Sequence, residues 1–214
     1  MCVVAICVAA PVTISDMDLS RVRSSPDMPS FPSLTESVAG PATQLRLAAE
    51  RDIPEILIAH QDDPELYLRM GIRRPPSGAE LGRRIEEGPA DRDSGAAIWL
   101  TVVMVGHDDC VGQLDVHGVD WDHGRAEIGM WIAPARRGRG LGSEALRLAA
   151  HWLLEDCGLE RVQMLTEPDN ARMRAAALAA GFTDEGRLRS YLKEPGRQVD
   201  VTMLSLVAAD VVAP

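Results

Sequence analysis

The chemistry of this chain concentrates in Pro134-Ala135-Arg136-Arg137-Gly138-Arg139-Gly140-Leu141-Gly142-Ser143-Glu144. Glycines at every second position let successive backbone N–H groups converge without β-carbons in the way. Leu146, Ala149, Ala150, Leu153 and Cys157 then recur with helical spacing, and Gly158 closes the run. The amides would therefore sit at a helix N-terminus, where the dipole favours anions, and the pattern predicts a phosphate cradle. Arg136, Arg137 and Arg139 suit a pyrophosphate with a further phosphate better than a single carboxylate. A plain strand-to-helix turn would also use glycines, but three of them with flanking arginines weigh toward binding.

Missing residues narrow the ligand. The loop lacks the Gly-Lys-Ser/Thr ending of a nucleotide-hydrolysing loop, and Gly138, Gly140 and Gly142 do not match G-x-G-x-x-G. No G-x-S-x-G elbow occurs. His60, His107, His117, His123 and His151 show no metal-binding spacing, so no metal is expected.

The residues before the cradle, Arg125 to Ile132, read as a strand. Period 2 puts Ala126, Ile128, Met130 and Ile132 on one face, with Glu127 and Trp131 on the other. That sets one carboxylate, Glu127, opposite the main core face as a candidate for general-base work; pairing with an arginine such as Arg125 is the competing reading. His117 and Trp131 are the candidates for contact with a substrate, against a solvated or core histidine and a core tryptophan.

Elements to position these residues follow from the same patterning. A short strand from Gln44 leads to a helix opened by Asp52-Ile53-Pro54, with Asp52 as N-cap. A second helix, GAELGRRIEEG, ends at Gly88-Pro89. Strands are predicted at 97–105, 110–119, 161–166, 184–192 and 198–207, and a helix capped by Asp169 or Asn170 runs to Ala180. Residues 1–43 read as a disordered Ser/Pro/Asp-rich extension, either a docking tail or a stretch upstream of a true start at Met17 or Met28. The domain is expected over 44–207, with a tail at 208–214.

Arg137-x-x-Gly140-x-Gly142 resembles the Q/R-x-x-G-x-G/A signature of the GCN5-related N-acetyltransferases, the GNAT superfamily. Asn170 with Gly181-Phe182 resembles that family's N…GF element. Glu185-Gly186-Arg187-Leu188-Arg189 through Asp200 is similar to the ending of the RimJ/RimL-type branch, which acetylates ribosomal-protein N-termini. The likeness covers residues 44–207.

It implies an α/β fold, a mixed, twisted sheet of about seven strands flanked by helices, and direct attack of an amine on acetyl-coenzyme A in a ternary complex. The cofactor's pantetheine arm would pair with the strand at Met130, Ile132 and Ala133. Its pyrophosphate would rest on Arg137, Gly138, Arg139, Gly140, Gly142 and Ser143, with Asn170 bonding the arm or simply capping its helix. Where relatives carry a Ser or Tyr to serve the leaving thiolate, this chain has Met173 and Ala177, leaving Tyr191 or water. Those absences support the alternative of a catalytically silent coenzyme A sensor or docking module.

The 214 residues carry a formal charge of -10, which disfavours nucleic acid as a partner and tolerates a cationic amine. The expected acceptor is a small amine or a protein N-terminus, and the expected state a monomer or homodimer. The opening apolar run stops at Pro11, short of the ~20 residues that span a membrane. With four scattered cysteines, a reducing, cytoplasmic setting is expected.

Overall fold

The computed structural model describes residues 30–32, 38–194 and 197–211. One sheet of eight strands forms its centre, in the order β1-β2-β3-β4-β5-β6-β8-β7. The strands are β1 (Val38–Ala39), β2 (Thr43–Leu47), β3 (Ile98–Met104), β4 (Gly112–Asp120), β5 (Arg125–Ile132), β6 (Arg161–Thr166), β7 (Thr183–Glu194) and β8 (Arg197–Val207). Neighbours run antiparallel except β5 and β6, which are parallel. The expected mixed α/β sheet is present, with the short β1 beside the seven longer strands.

Helices cover both faces. α1 (Ile53–Asp62), α2 (Leu66–Arg69) and α3 (Gly78–Asp93) supply Ile56, Ala59, Leu66 and Leu81 to a small cluster that also buries Trp131 and Cys110. On the other face, α4 (Leu141–His151) and α5 (Ala171–Ala179) pack Leu146, Ala149 and Ala177 on Ile128, Val162, Met164 and Leu204. The alternation read along β5 thus holds: Ala126, Ile128 and Ile132 enter the larger core, Trp131 the smaller. After His151 the helix widens into a π turn at Trp152–Asp156, which buries the consecutive Trp152, Leu153 and Leu154. A final short helix, α6, spans Ala208–Val211.

Several local expectations change. α3 does not stop at Gly88-Pro89; it runs on to Asp93 with Pro89 inside, on the exposed side where water can serve the carbonyl that the proline leaves unpaired. Asp52 stands at the N-cap position of α1, as expected, but its side chain bonds no amide of that helix. Its carboxylate takes both Arg46 guanidinium nitrogens at 2.9 and 2.6 Å, the Thr101 hydroxyl at 2.6 Å and the Ala49 amide at 3.0 Å. Packing also reaches ahead of Gln44: Phe31 is buried, edge-on to Trp121 at 5.4 Å and stacked on Trp152 at 5.9 Å. Among the described residues no helix is long and apolar enough to cross a membrane; the opening apolar run lies outside them.

Asp52 is 1% exposed. Burial works against its charge, but Arg46, Thr101 and the Ala49 amide outweigh that and hold its pKa below the ordinary value. A depressed carboxylate stabilises the fold above its unfolded pKa, and the contribution is lost as pH falls through the lower folded one. Asp52→Ala leaves Arg46 its second carboxylate, Asp108 at 2.8 Å, but removes the buried acceptor of Arg46, Thr101 and the Ala49 amide; it is expected to lower unfolding free energy by about 1–3 kcal/mol, read as a fall in the urea midpoint at unchanged slope.

Candidate active site

Parallel pairing between β5 and β6 lasts three residues, Arg125–Arg161, Ala126–Val162 and Glu127–Gln163, and then the strands part. A cleft of about 1230 Å³ opens at the parting. Its edge on β5 is defined by hydrogen-bond alternation. The Ala133 amide donates to Val111 O at 2.9 Å, so the polar backbone groups of Ile128, Met130 and Ile132 turn from β4 toward the side β6 has left. Met130 has no β6 residue paired with it. Ala133 is thereby committed to β4 and does not line the cleft, whereas Met130 and Ile132 do.

The glycine turn lies at the cleft's other end. Gly138 and Gly140 have φ of 76° and 79°, left-handed conformations that a β-carbon disfavours, and nothing within 4 Å would meet a β-carbon at either. Gly142 sits against β5, where a β-carbon would lie 3.3 Å from Met130 Cε. The first helical bond of α4 is Glu144 N to Gly140 O, and among the described residues none of the amides from Gly138 to Ser143 has a protein acceptor. Glu144 does not fill the cradle, because its Oε1 accepts the Ala42 amide at 2.9 Å. Six consecutive N–H groups at a helix N-terminus are therefore free to take an anion.

The arginines divide. Arg137 braces the turn: its Nε donates to Ile132 O at 2.8 Å and its Nη1 pairs with Asp63 Oδ2 at 2.7 Å. Arg136 also lines the cleft, while Arg139 is exposed and does not.

Glu127 faces the cleft from β5, as the alternation requires. Arg125 is not its partner, since that guanidinium binds Asp120 at 3.0 Å. The neighbour is His117 on β4, cross-strand to Glu127, with Nε2 3.3 Å from Glu127 Oε1. His117 Nδ1 lies 2.8 Å from Asp115 Oδ2, a close contact off the ideal N–H direction. Asp115 in turn sits over Gly129, where a β-carbon would come within 3.0 Å of Asp115 Oδ1. Burial opposes the imidazolium, but the Asp115 and Glu127 carboxylates outweigh it and push His117 up to about 9. The carboxylates approach opposite ring nitrogens and so do not converge on a common point.

Trp131 lines the same cleft, almost wholly buried, with its indole N–H unpartnered. Asn170 is a helix cap, its Oδ1 accepting the Met173 amide at 3.1 Å, and it too lines the cleft. Met173 borders the cleft and Ala177 is in the core; Tyr191 is half-exposed on β7 and not among the lining residues. Sequence reasoning missed Asp115 and Asp63. Asp115 stands two residues before His117 on one strand face, a spacing that offered the signal. Asp63 offered none, because its partner is distant in the chain.

The GNAT acetyltransferase domain model matches residues 43–183, and the chain belongs to that family. It is 28% identical over 159 residues to the uncharacterized N-acetyltransferase p20 of Bacillus licheniformis, covering 74% of this chain and 89% of that one. Mycobacterium smegmatis RimJ in complex with CoA-disulfide shares the fold at TM-score 0.67 and 22% identity, over 81% of this chain and 88% of that one. The ribosomal-protein-S5-alanine acetyltransferase of Vibrio fischeri does so at 0.67 and 18%, over 84% and 100%.

A raised folded pKa stabilises below the unfolded value and loses that contribution as pH climbs through the folded one. The His117 ring is expected to titrate by NMR with a midpoint of about 9, and its share of stability to be complete below ~6.5 and gone above the folded midpoint.

Proposed function

We propose that this chain transfers acetyl from acetyl-coenzyme A to a primary amine, on a small cationic molecule or a protein N-terminus. The observation that carries the reading is the run of unpartnered amides from Gly138 to Ser143 beside an open strand edge. Those amides fit a diphosphate, since the glycines leave the approach clear and the helix dipole favours the charge. Met130 and Ile132 offer backbone groups for an extended amide-bearing arm, and Asn170 borders the same space. The RimJ relative bound to a coenzyme A disulfide supports this choice of donor.

The donor supplies a thioester carbonyl open to direct attack. Glu127 accepts the proton that an ammonium sheds to become a nucleophile, and the cleft walls hold the reactants together, so the protein acts by proximity and proton removal. Water takes the place of the Tyr or Ser that serves the thiolate in relatives, since the Met173 and Ala177 side chains have no hydroxyl to donate. A reducing, cytoplasmic setting accords with the unpaired thiols of Cys110 and Cys157.

Thiol release from acetyl-coenzyme A across a panel of amines and peptide amides is expected to reveal turnover, and calorimetry with coenzyme A to give heat. Glu127→Gln should lower kcat by roughly 10²–10⁴ and flatten the acidic limb of the pH profile. Absence of binding heat for the intact chain would overturn the donor assignment.

A further inference from the structure

Asp115 and His117 have no part in the reaction as described, yet both line the cleft beside Glu127. They lie two apart on β4, on the face they share with the cross-strand Glu127, and a bulge between His117 and Asp120 begins just beyond them. Gly118, in the left-handed region at φ 57°, turns the strand there, and a β-carbon on it would lie 3.9 Å from Glu127 Cβ. The bulge therefore falls beside the His117–Glu127 pair, where such irregularities commonly re-aim a side chain. Gly129, opposite Asp115, leaves room for that carboxylate.

We propose that His117 is a positioning residue: set between Asp115 and Glu127, its ring holds the Glu127 carboxylate at the cleft wall. The proposal rests on the reading of Glu127 as base. An unanchored glutamate on a strand edge samples several rotamers, and one neighbour charge at 3.3 Å selects among them. Asp115 supplies the second contact, a carboxylate oxygen 2.8 Å from Nδ1, so that a carboxylate stands beside each ring nitrogen. Two carboxylates and one imidazolium leave a single net negative charge there, suited to a cationic amine.

The charged groups facing His117 are Asp115 from its own strand and Glu127 from β5. Elsewhere the cleft carries Asp62, Asp63, Glu65 and Arg69 on the α1–α2 side and Asp169 and Arg172 beside α5, besides the arginines of the cradle.

The test uses the full chain with acetyl-coenzyme A and two acceptor probes, spermidine and the peptide Ala-Ala-Ala-amide, and follows the His117 ring by NMR. His117→Gln is expected to lower kcat tenfold or more while the KM for the amine moves less than threefold. It should also abolish a loss of rate above about pH 9 present in the wild type. Asp115→Asn, which touches no reactant, should move that limb and the NMR midpoint together toward the ordinary imidazole value of ~6.5. Glu127→Gln should lower the NMR midpoint too, a coupling read without turnover. A wild type that acetylates neither probe counts against the reaction with these acceptors and leaves the clamp to be decided by NMR. The clamp is overturned if the His117 midpoint is the same in Glu127→Gln as in the wild type, or if His117→Gln keeps kcat within twofold with the basic limb intact.

Discussion

The parting of β5 from β6 is the constraint on which the rest of the molecule depends. Three parallel pairs join them, ending at Glu127 and Gln163, and beyond that point β5 is held by β4 alone. A sheet edge inside a protein must find partners for its amides and carbonyls or leave them to a ligand. Here Arg137 takes the Ile132 carbonyl and Met130 has no β6 partner, so the cleft has a hydrogen-bonding wall where the two parallel strands diverge. β8 keeps β6 in place from the far side with six antiparallel pairs, which prevents the gap from closing.

Cationic side chains do less at the cradle than their number suggests. Arg137 is tied to the Asp63 carboxylate and to a main-chain oxygen, and Arg139 stands off the cleft. Apart from Arg136, which lines the cleft, what the turn offers an anion is oriented backbone dipoles, which cost no side-chain entropy to aim. Arg137 shapes the turn by linking it to the end of α1, so the helices on one face and the glycine loop on the other are coupled through one guanidinium.

Features set by short-range pattern were legible in the sequence. The β3–β4 hairpin, β6, the amphipathic α4 and the Asn170 cap each depend on residues within about a dozen positions of one another, and each was found where periodicity put it. The glycine turn was legible for the same reason. Illegible were arrangements that depend on the third dimension: Asp52 satisfied by Arg46 and Thr101 instead of by a helix amide, Arg125 drawn to Asp120, and Asp115 closing on His117. The proline signal at Pro89 misled because the cost of one lost hydrogen bond on a wet helix face is smaller than the gain from continuing α3. Glu127 and Trp131 were placed on the correct face by alternation alone, but the partner of Glu127 required the cross-strand register.

Phe31 gives the segment ahead of the sheet a physical role. Its ring lies between the indole of the β4–β5 turn and that at the end of α4, closing a seam between two elements that are remote in sequence. A shortened chain beginning at Gln44 would retain every strand from β3 onward and the whole cradle, yet leave two tryptophans facing water. Such a truncation removes a plug from the fold's outer wall, and the bared aromatic surface would make it stick to its own copies.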